Sequence, residues 1–162
     1  MERTEFNQAA AVYQDMVYRI ALHYFANRPD AEDAVQEVFL RLYTRQDPFA
    51  GEEHLRRWLM RVTVNVCKDA LKSAWRRRRV SLEEVPETPV FQEDSQAELY
   101  RAVMELPEKY RTVLNLFYYE ELSVREIAQV LEVKETAVTT RLSRARDRLR
   151  QRLTEEVWRN GE

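Results

Sequence analysis

Along residues 135–150, ETAVTTRLSRARDRLR, hydroxyl and guanidinium groups recur at helical spacing. Thr136, Thr139, Thr140 and Ser143 occupy the first turns, and Arg141, Arg144, Arg146, Arg148 and Arg150 follow. Threonine is a middling helix former, so propensity does not explain the choice. Arginines this dense repel one another unless an anion lies against them. A solvated, salt-bridged face is the competing reading, yet Asp147 is the only acid between 136 and 150. Short hydroxyl side chains let a helix sit deep in a major groove, and an arginine can grip a guanine edge with two hydrogen bonds. Arg141 and Arg148, at the flanks, would then fall near the phosphate walls. The chemistry these residues suit is recognition of a DNA duplex.

A second basic row is Arg57, Arg61, Asn65, Lys68, Lys72 and Arg76, again spaced by three and four. Residues 54–79 hold nine Lys/Arg against Asp69 alone, although this row is a weaker signal taken by itself. Asp33 and Glu37 share one face of a predicted helix and raise the question of acid–base or metal chemistry. No third ligand or base accompanies them, which favours a protein-binding or solvated face. His23 and His54 are separated by a whole predicted helix, and Cys67 is the only cysteine. An internal disulfide and a cysteine-ligated cluster are therefore excluded, and neither metal nor cofactor is expected. Cys67 reads as a small apolar filler and not a redox sensor. Trp58 and Trp75 read as core or interface residues ahead of base-stacking platforms.

These residues need elements to place them, and composition favours helices. Only two glycines and five prolines in 162 residues argue against a turn-dense β fold. A first amphipathic helix is predicted from Glu5 to Ala26, with a second behind a cap at Asp30 that buries Ala34, Val35, Val38, Phe39 and Leu42. A third runs from about Glu52 to Trp75, with Leu55, Trp58, Leu59, Val62, Val66 and Ala70 as its buried stripe. Residues 80–95, VSLEEVPETPVFQEDS, are acidic, carry two prolines and show no period, as a flexible acidic linker would. Beyond it, Leu99, Val103 and Leu106 suggest a short helix, and Pro107 suits the start of the next. Ser123 and Glu126 form a predicted capping box. Ile127, Val130 and Leu131, a three-residue turn, then Val138, Leu142, Ala145 and Leu149 give the spacing of a helix-turn-helix. The expectation is an all-α protein of two small helical domains, residues 1–79 and 96–162, joined by the linker 80–95. The net charge of −2 hides blocks of alternating sign, which suit distinct partners on distinct surfaces. The absence of a long apolar run or a leader leads to an expectation of a cytoplasmic protein without membrane insertion.

Taken together, DAEDAVQEVFLRLY, FAGEEHLRRWLMRVTVNVCKDAL, LPEKYRTVLNLFYYEELSVREIAQVL and TRLSRARDRLR closely resemble the extracytoplasmic-function class of bacterial sigma factors. These are promoter-specificity subunits of RNA polymerase without an active site of their own, and the resemblance covers nearly the whole chain in the family's order. It implies that the helix bearing Asp33, Gln36, Glu37 and Phe39 docks on the β′ clamp helices of core RNA polymerase. It implies that the loop from Phe49 to His54 and the next helix open and read the −10 element of promoter DNA. Arg61, Asn65, Lys68 and Asp69 stand at matching positions there, and Arg57, Lys72 and Arg76 of the basic row are assigned to the same element. The C-terminal domain would bind the β flap and read the −35 element with residues 135–149, and an anti-sigma factor would be the antagonist.

Three positions depart from the family pattern. Glu132 stands where the turn usually has glycine, Lys134 where a small cap such as serine is usual, and Thr139 where lysine is common. A left-handed backbone at a non-glycine residue costs roughly 1 kcal/mol. Losing a hydroxyl cap costs on the order of 1 kcal/mol. The changes bear on the promoter sequence read and leave the fold expectation in place. A two-domain helix-turn-helix repressor or activator would account for 123–150 but not for the basic row or the acidic face of 30–41. A helical protein–protein scaffold would give the arginines no purpose, and an enzyme reading has no nucleophile–base pair behind it.

Overall fold

Apolar residues three and four apart draw α1 (Arg3–Phe25), α2 (Arg28–Thr44) and α3 (Glu52–Arg78) together, each packed on the other two. The computed structural model describes the backbone of residues 1–78 and 94–160 and the side chains of 1–73 and 97–154. The chain divides into two compact units, Met1–Pro86 and Glu87–Glu162, and all described regular structure is helical, as expected. The predicted linker 80–95 lies outside the described residues, save that Asp94 and Ser95 already belong to the next helix.

In the first unit, α1 ends at Ala26 in a left-handed conformation (φ 60°), and Asn27 starts α2. The Asn27 side chain accepts from the Asp30 N–H at 2.9 Å and donates to the Asp30 carboxylate at 2.8 Å. Asn27, not Asp30 as expected, is therefore the cap. Pro29, whose fixed φ suits a first helical turn, begins the helix earlier and moves Asp30 inside it. The core is built from Val17, Ile20, Tyr24, Val38, Leu42, Leu59, Met60 and Val64. The buried stripe of α3 is wider than its predicted version. Met60, Thr63, Val64 and Cys67 are wholly enclosed, whereas Trp58, Val62 and Ala70 are only half-buried. Wedged against both α1 and α2, α3 must bury two adjacent rows. Cys67 fills space in that wedge, in keeping with its reading as an apolar filler.

The second unit comprises α4 (Asp94–Met104), α5 (Glu108–Leu114) running into a π-helical turn (Asn115–Tyr119), α6 (Val124–Leu131) and α7 (Glu135–Asn160). Pro107 precedes α5 at its cap position. The Arg111 guanidinium closes the α4–α5 corner by donating to the Leu106 carbonyl at 3.0 Å. Burial pulls its pKa below the ordinary arginine value. Leu99, expected in the apolar stripe of α4, is 42% exposed. α4 packs chiefly on α7, so one of its sides stays open. The capping box forms as predicted: Ser123 Oγ accepts from the Glu126 N–H and the Glu126 carboxylate accepts from the Ser123 N–H, each at 3.1 Å. α6 ends at Glu132, left-handed at φ 56° and ψ 46°, and Val133 N–H returns to the Ala128 carbonyl at 3.0 Å. Val138, Leu142 and Ala145 then pack inward with Ile127, Val130 and Leu131. Among the described residues, no helix is long and apolar enough to cross a membrane.

Candidate nucleic-acid interface

With Val138, Leu142 and Ala145 turned inward, the outer face of α7 follows from periodicity alone. Thr136, Thr139, Thr140, Ser143, Arg144 and Arg148 are exposed, and Arg141 is half-buried. The Thr139 hydroxyl donates to the Glu135 carbonyl at 3.0 Å, which turns it toward its own helix. The Arg148 guanidinium lies over the Tyr110 ring at 4.8 Å. Arg146 lies over Phe117 at 5.5 Å, and its Nε donates to the Tyr118 hydroxyl at 2.8 Å. These aromatic anchors hold two of the arginines in place beside the threonine row. The sequence reading did not foresee them.

On α3, Arg57, Arg61, Asn65 and Lys72 are exposed and Lys68 is half-buried, so the basic row forms a continuous outer face. Arg57 pairs with Glu53 at 3.1 Å, an exposed contact of little energetic weight. The backbone of Arg76 continues α3, while its side chain lies outside the described residues.

The loop leading into α3 is more elaborate than its sequence suggests. Phe49 meets His54 and Trp58 at steep ring angles, with centroids 5.2 and 5.5 Å away. The Arg45 guanidinium lies over the rings of Phe49 and Trp58, at 4.4 and 5.2 Å. His54 Nδ1 accepts from the Ala50 N–H at 2.9 Å. At the loop's exit, the Tyr13 hydroxyl donates to Glu52 Oε2 at 2.7 Å, and burial together with this carboxylate pushes the Tyr13 pKa up to about 12. Phe49 and His54 are thus brought together, joined by Arg45 and Trp58. Trp58 belongs to this cluster and not to the buried stripe. The one available signal was an arginine and an aromatic flanking the Pro48–Gly51 loop.

On α2, Asp33 and Gln36 are exposed and Glu37 is half-buried, its carboxylate paired with Arg41 at 3.0 Å. Phe39 lies on the buried stripe expected of α2. It is 9% exposed and packs edge-on against Phe6 at 6.3 Å, because it falls on the same inward stripe as Val38 and Leu42. Leu40, one residue on, is an apolar side chain that is 57% exposed. Asp69 stands apart from the basic row of α3. It lines a hollow of about 360 Å³ between α2 and α3 with Asp30, Asp33 and Glu37. Arg41 lines the same hollow, where it pairs with the Glu37 carboxylate.

The order of these surfaces along the chain agrees with two family models, Sigma-70 region 2 over residues 10–77 and Sigma-70 region 4 over residues 96–149. The RNA polymerase sigma factor SigV of Bacillus subtilis is 30% identical, with 86% of this chain and 85% of that protein covered. The chain belongs to the extracytoplasmic-function sigma factors. The ECF sigma factor SigW of Bacillus subtilis is 28% identical across 94% of this sigma factor and 90% of SigW. The ECF sigma-E factor of Escherichia coli strain K12 is 29% identical across 90% and 85%. In fold, it is similar to the sigma factor RpoE of Bartonella quintana, solved with the anti-sigma factor NepR. The TM-score is 0.79 at 22% identity, covering 93% of this chain and 97% of that one. As a sigma factor, this protein directs promoter-specific transcription initiation.

Proposed function

We propose that the two units divide promoter recognition between them. The domain within residues 1–79 docks on core RNA polymerase through Asp33, Gln36, Glu37 and the neighbouring Leu40, with the β′ clamp helices as the partner. Its loop from Phe49 to His54 and the basic row of α3 capture the opened −10 element. The domain within residues 96–162 binds the β flap and reads the −35 duplex with Thr136, Thr140, Ser143 and Arg144. By analogy with RpoE and NepR, an anti-sigma factor is a further partner. Such work belongs in the cytoplasm, where polymerase and promoter meet.

The observation carrying this reading is the contrast between the exposed faces. An aromatic loop beside a basic helix suits extruded bases, which need stacking surfaces and backbone charge. A hydroxyl-and-arginine face on a helix-turn-helix suits a groove. Residues 2–37 carry seven acids against three bases, so the docking end of the chain opposes DNA on its own. The test is gel-shift titration and run-off transcription with the chain alone, core polymerase alone and the two together. Specific initiation and tight promoter binding are expected only from the combination. Equal promoter affinity with and without core polymerase would instead establish an independent helix-turn-helix regulator.

A further inference from the structure

Phe49 does not hold its position by burial in the core, since it is only half-buried on a short loop. Something local must hold it. Arg45 ends α2 with its N–H bonded to the Leu42 carbonyl at 3.2 Å, and its Nε then reaches forward to the Asp47 carbonyl at 3.1 Å. That second bond fixes the plane of the guanidinium as well as its location. So fixed, it lies over the faces of both Phe49 and Trp58, at 4.4 and 5.2 Å. Trp58 belongs to the first turns of α3, whereas Phe49 belongs to the loop. One side chain therefore ties the end of α2, the loop and the start of α3 together. At the far end, His54 receives the Ala50 N–H and Leu55 N–H bonds to the Gly51 carbonyl at 3.1 Å. The loop is closed at both ends before any ligand arrives.

We infer that Arg45 is a positioning residue for promoter opening: it holds Phe49 and the loop from Asp47 to Gly51 in the form that receives an extruded base. This deepens, and rests on, the assignment of that loop to the −10 element. A flexible loop would lose conformational freedom on capturing a base, and a loop ordered in advance loses less. Arginine suits the task better than lysine because its planar group stacks on rings while its N–H groups bond a carbonyl. Arg45 acts through Phe49 and need not touch a phosphate itself.

The test uses the full chain assembled with core polymerase and a promoter whose −10 thymines are probed with permanganate. Arg45→Ala should lower the opened fraction about two- to fivefold, the equivalent of a partly exposed cation–π contact. Polymerase binding and circular dichroism should stay unchanged, and Arg45→Lys should restore part of the loss. In a Phe49→Ala background the Arg45→Ala change should add nothing, because its route of action is already gone. The salt dependence of promoter binding should keep its slope, since no phosphate contact is lost. Independent, multiplying losses or a shallower salt slope would overturn the proposal in favour of a direct phosphate contact. A full effect of Phe49→Ala with none from Arg45→Ala would overturn the positioning role alone. No effect of Phe49→Ala would overturn the −10 assignment of the loop and this inference with it.

Discussion

Around Phe49, side chains from α1, the end of α2, the loop and the start of α3 converge, and each holds another: Arg45 over two rings, His54 on the loop backbone, Tyr13 on Glu52. Along α7, the exposed threonines and Arg144 follow from one inner stripe of Val138, Leu142 and Ala145. The first surface is assembled by tertiary contacts, the second by helical period. The difference matches the two proposed ligands. Duplex DNA offers a regular groove that a regular helix can follow, whereas an extruded base has to be met by a formed pocket. A surface made by convergence should be fragile to changes in its neighbours. One made by periodicity should respond only to the residue changed.

The largest expected effect tests whether the two constructions are separable. Leu59 is completely buried in the first unit, and Leu59→Ala should cost that unit about 2–5 kcal/mol. Two thermal transitions monitored by circular dichroism should result, the lower one shifted and the upper one in place. Duplex discrimination by α7 should persist at temperatures where −10 opening is lost. A single transition that moves as a whole would show that the units stand or fall together.

Next in size is the contrast between reading and opening. Arg144→Ala and Thr140→Ala should each remove about 1–3 kcal/mol of discrimination among −35 sequences, measured by competition between duplexes. Asn65→Ala and Lys68→Ala should leave that ranking unchanged and instead suppress permanganate reactivity of −10 thymines while the closed complex persists. Loss of −35 discrimination by Asn65→Ala would erase the proposed division.

What could be read in advance follows the same line. The helices, the capping box at Ser123, the helix-turn-helix spacing and the outer face of α7 depend on local period and were legible. Phe39 was legible as part of the buried stripe of α2, whereas its packing partner Phe6, on another helix, was not. The hollow that Asp69 lines is shared by α2 and α3, so neither stretch announces it alone. The clamp made by Arg45 joins residues 45, 49 and 58, whose spacing has no period to announce it. Contacts between elements were the part not encoded in any single stretch.

A smaller effect concerns the turn that sets the angle of α7. Glu132 adopts φ 56°, a conformation that glycine reaches without the steric penalty of a side chain. Glu132→Gly should raise the stability of the second unit by about 0.5–1 kcal/mol, since relief of strain exceeds the added freedom of the unfolded chain. Its melting temperature should rise. A fall in stability would mean that the Glu132 side chain contributes more than its backbone strain costs.

An effect of similar size probes the anchor at the exit of the Phe49 loop. Tyr13 donates to Glu52, and its pKa stands near 12 against an ordinary value of 10.0, so the folded state holds this proton more tightly than the unfolded chain does. The stabilisation linked to that proton is therefore complete below pH 10 and is lost as the pH rises from 10 through 12. Tyr13→Phe removes the donor and should cost about 1 kcal/mol near pH 8, an ordinary net value for a hydrogen bond. The difference between wild type and variant, from denaturant midpoints taken at successive pH values, should then shrink across that alkaline window. Subtracting the variant cancels the other tyrosines, which titrate in both proteins. Glu52→Gln keeps an acceptor but removes the charge, so it should retain part of the bond and weaken the pH dependence. A wild-type-minus-variant difference that stays flat to pH 12 would show that Tyr13 is neither buried nor bonded to Glu52 in solution. A larger share of the order of the Phe49 loop would then rest on the Arg45 guanidinium and His54.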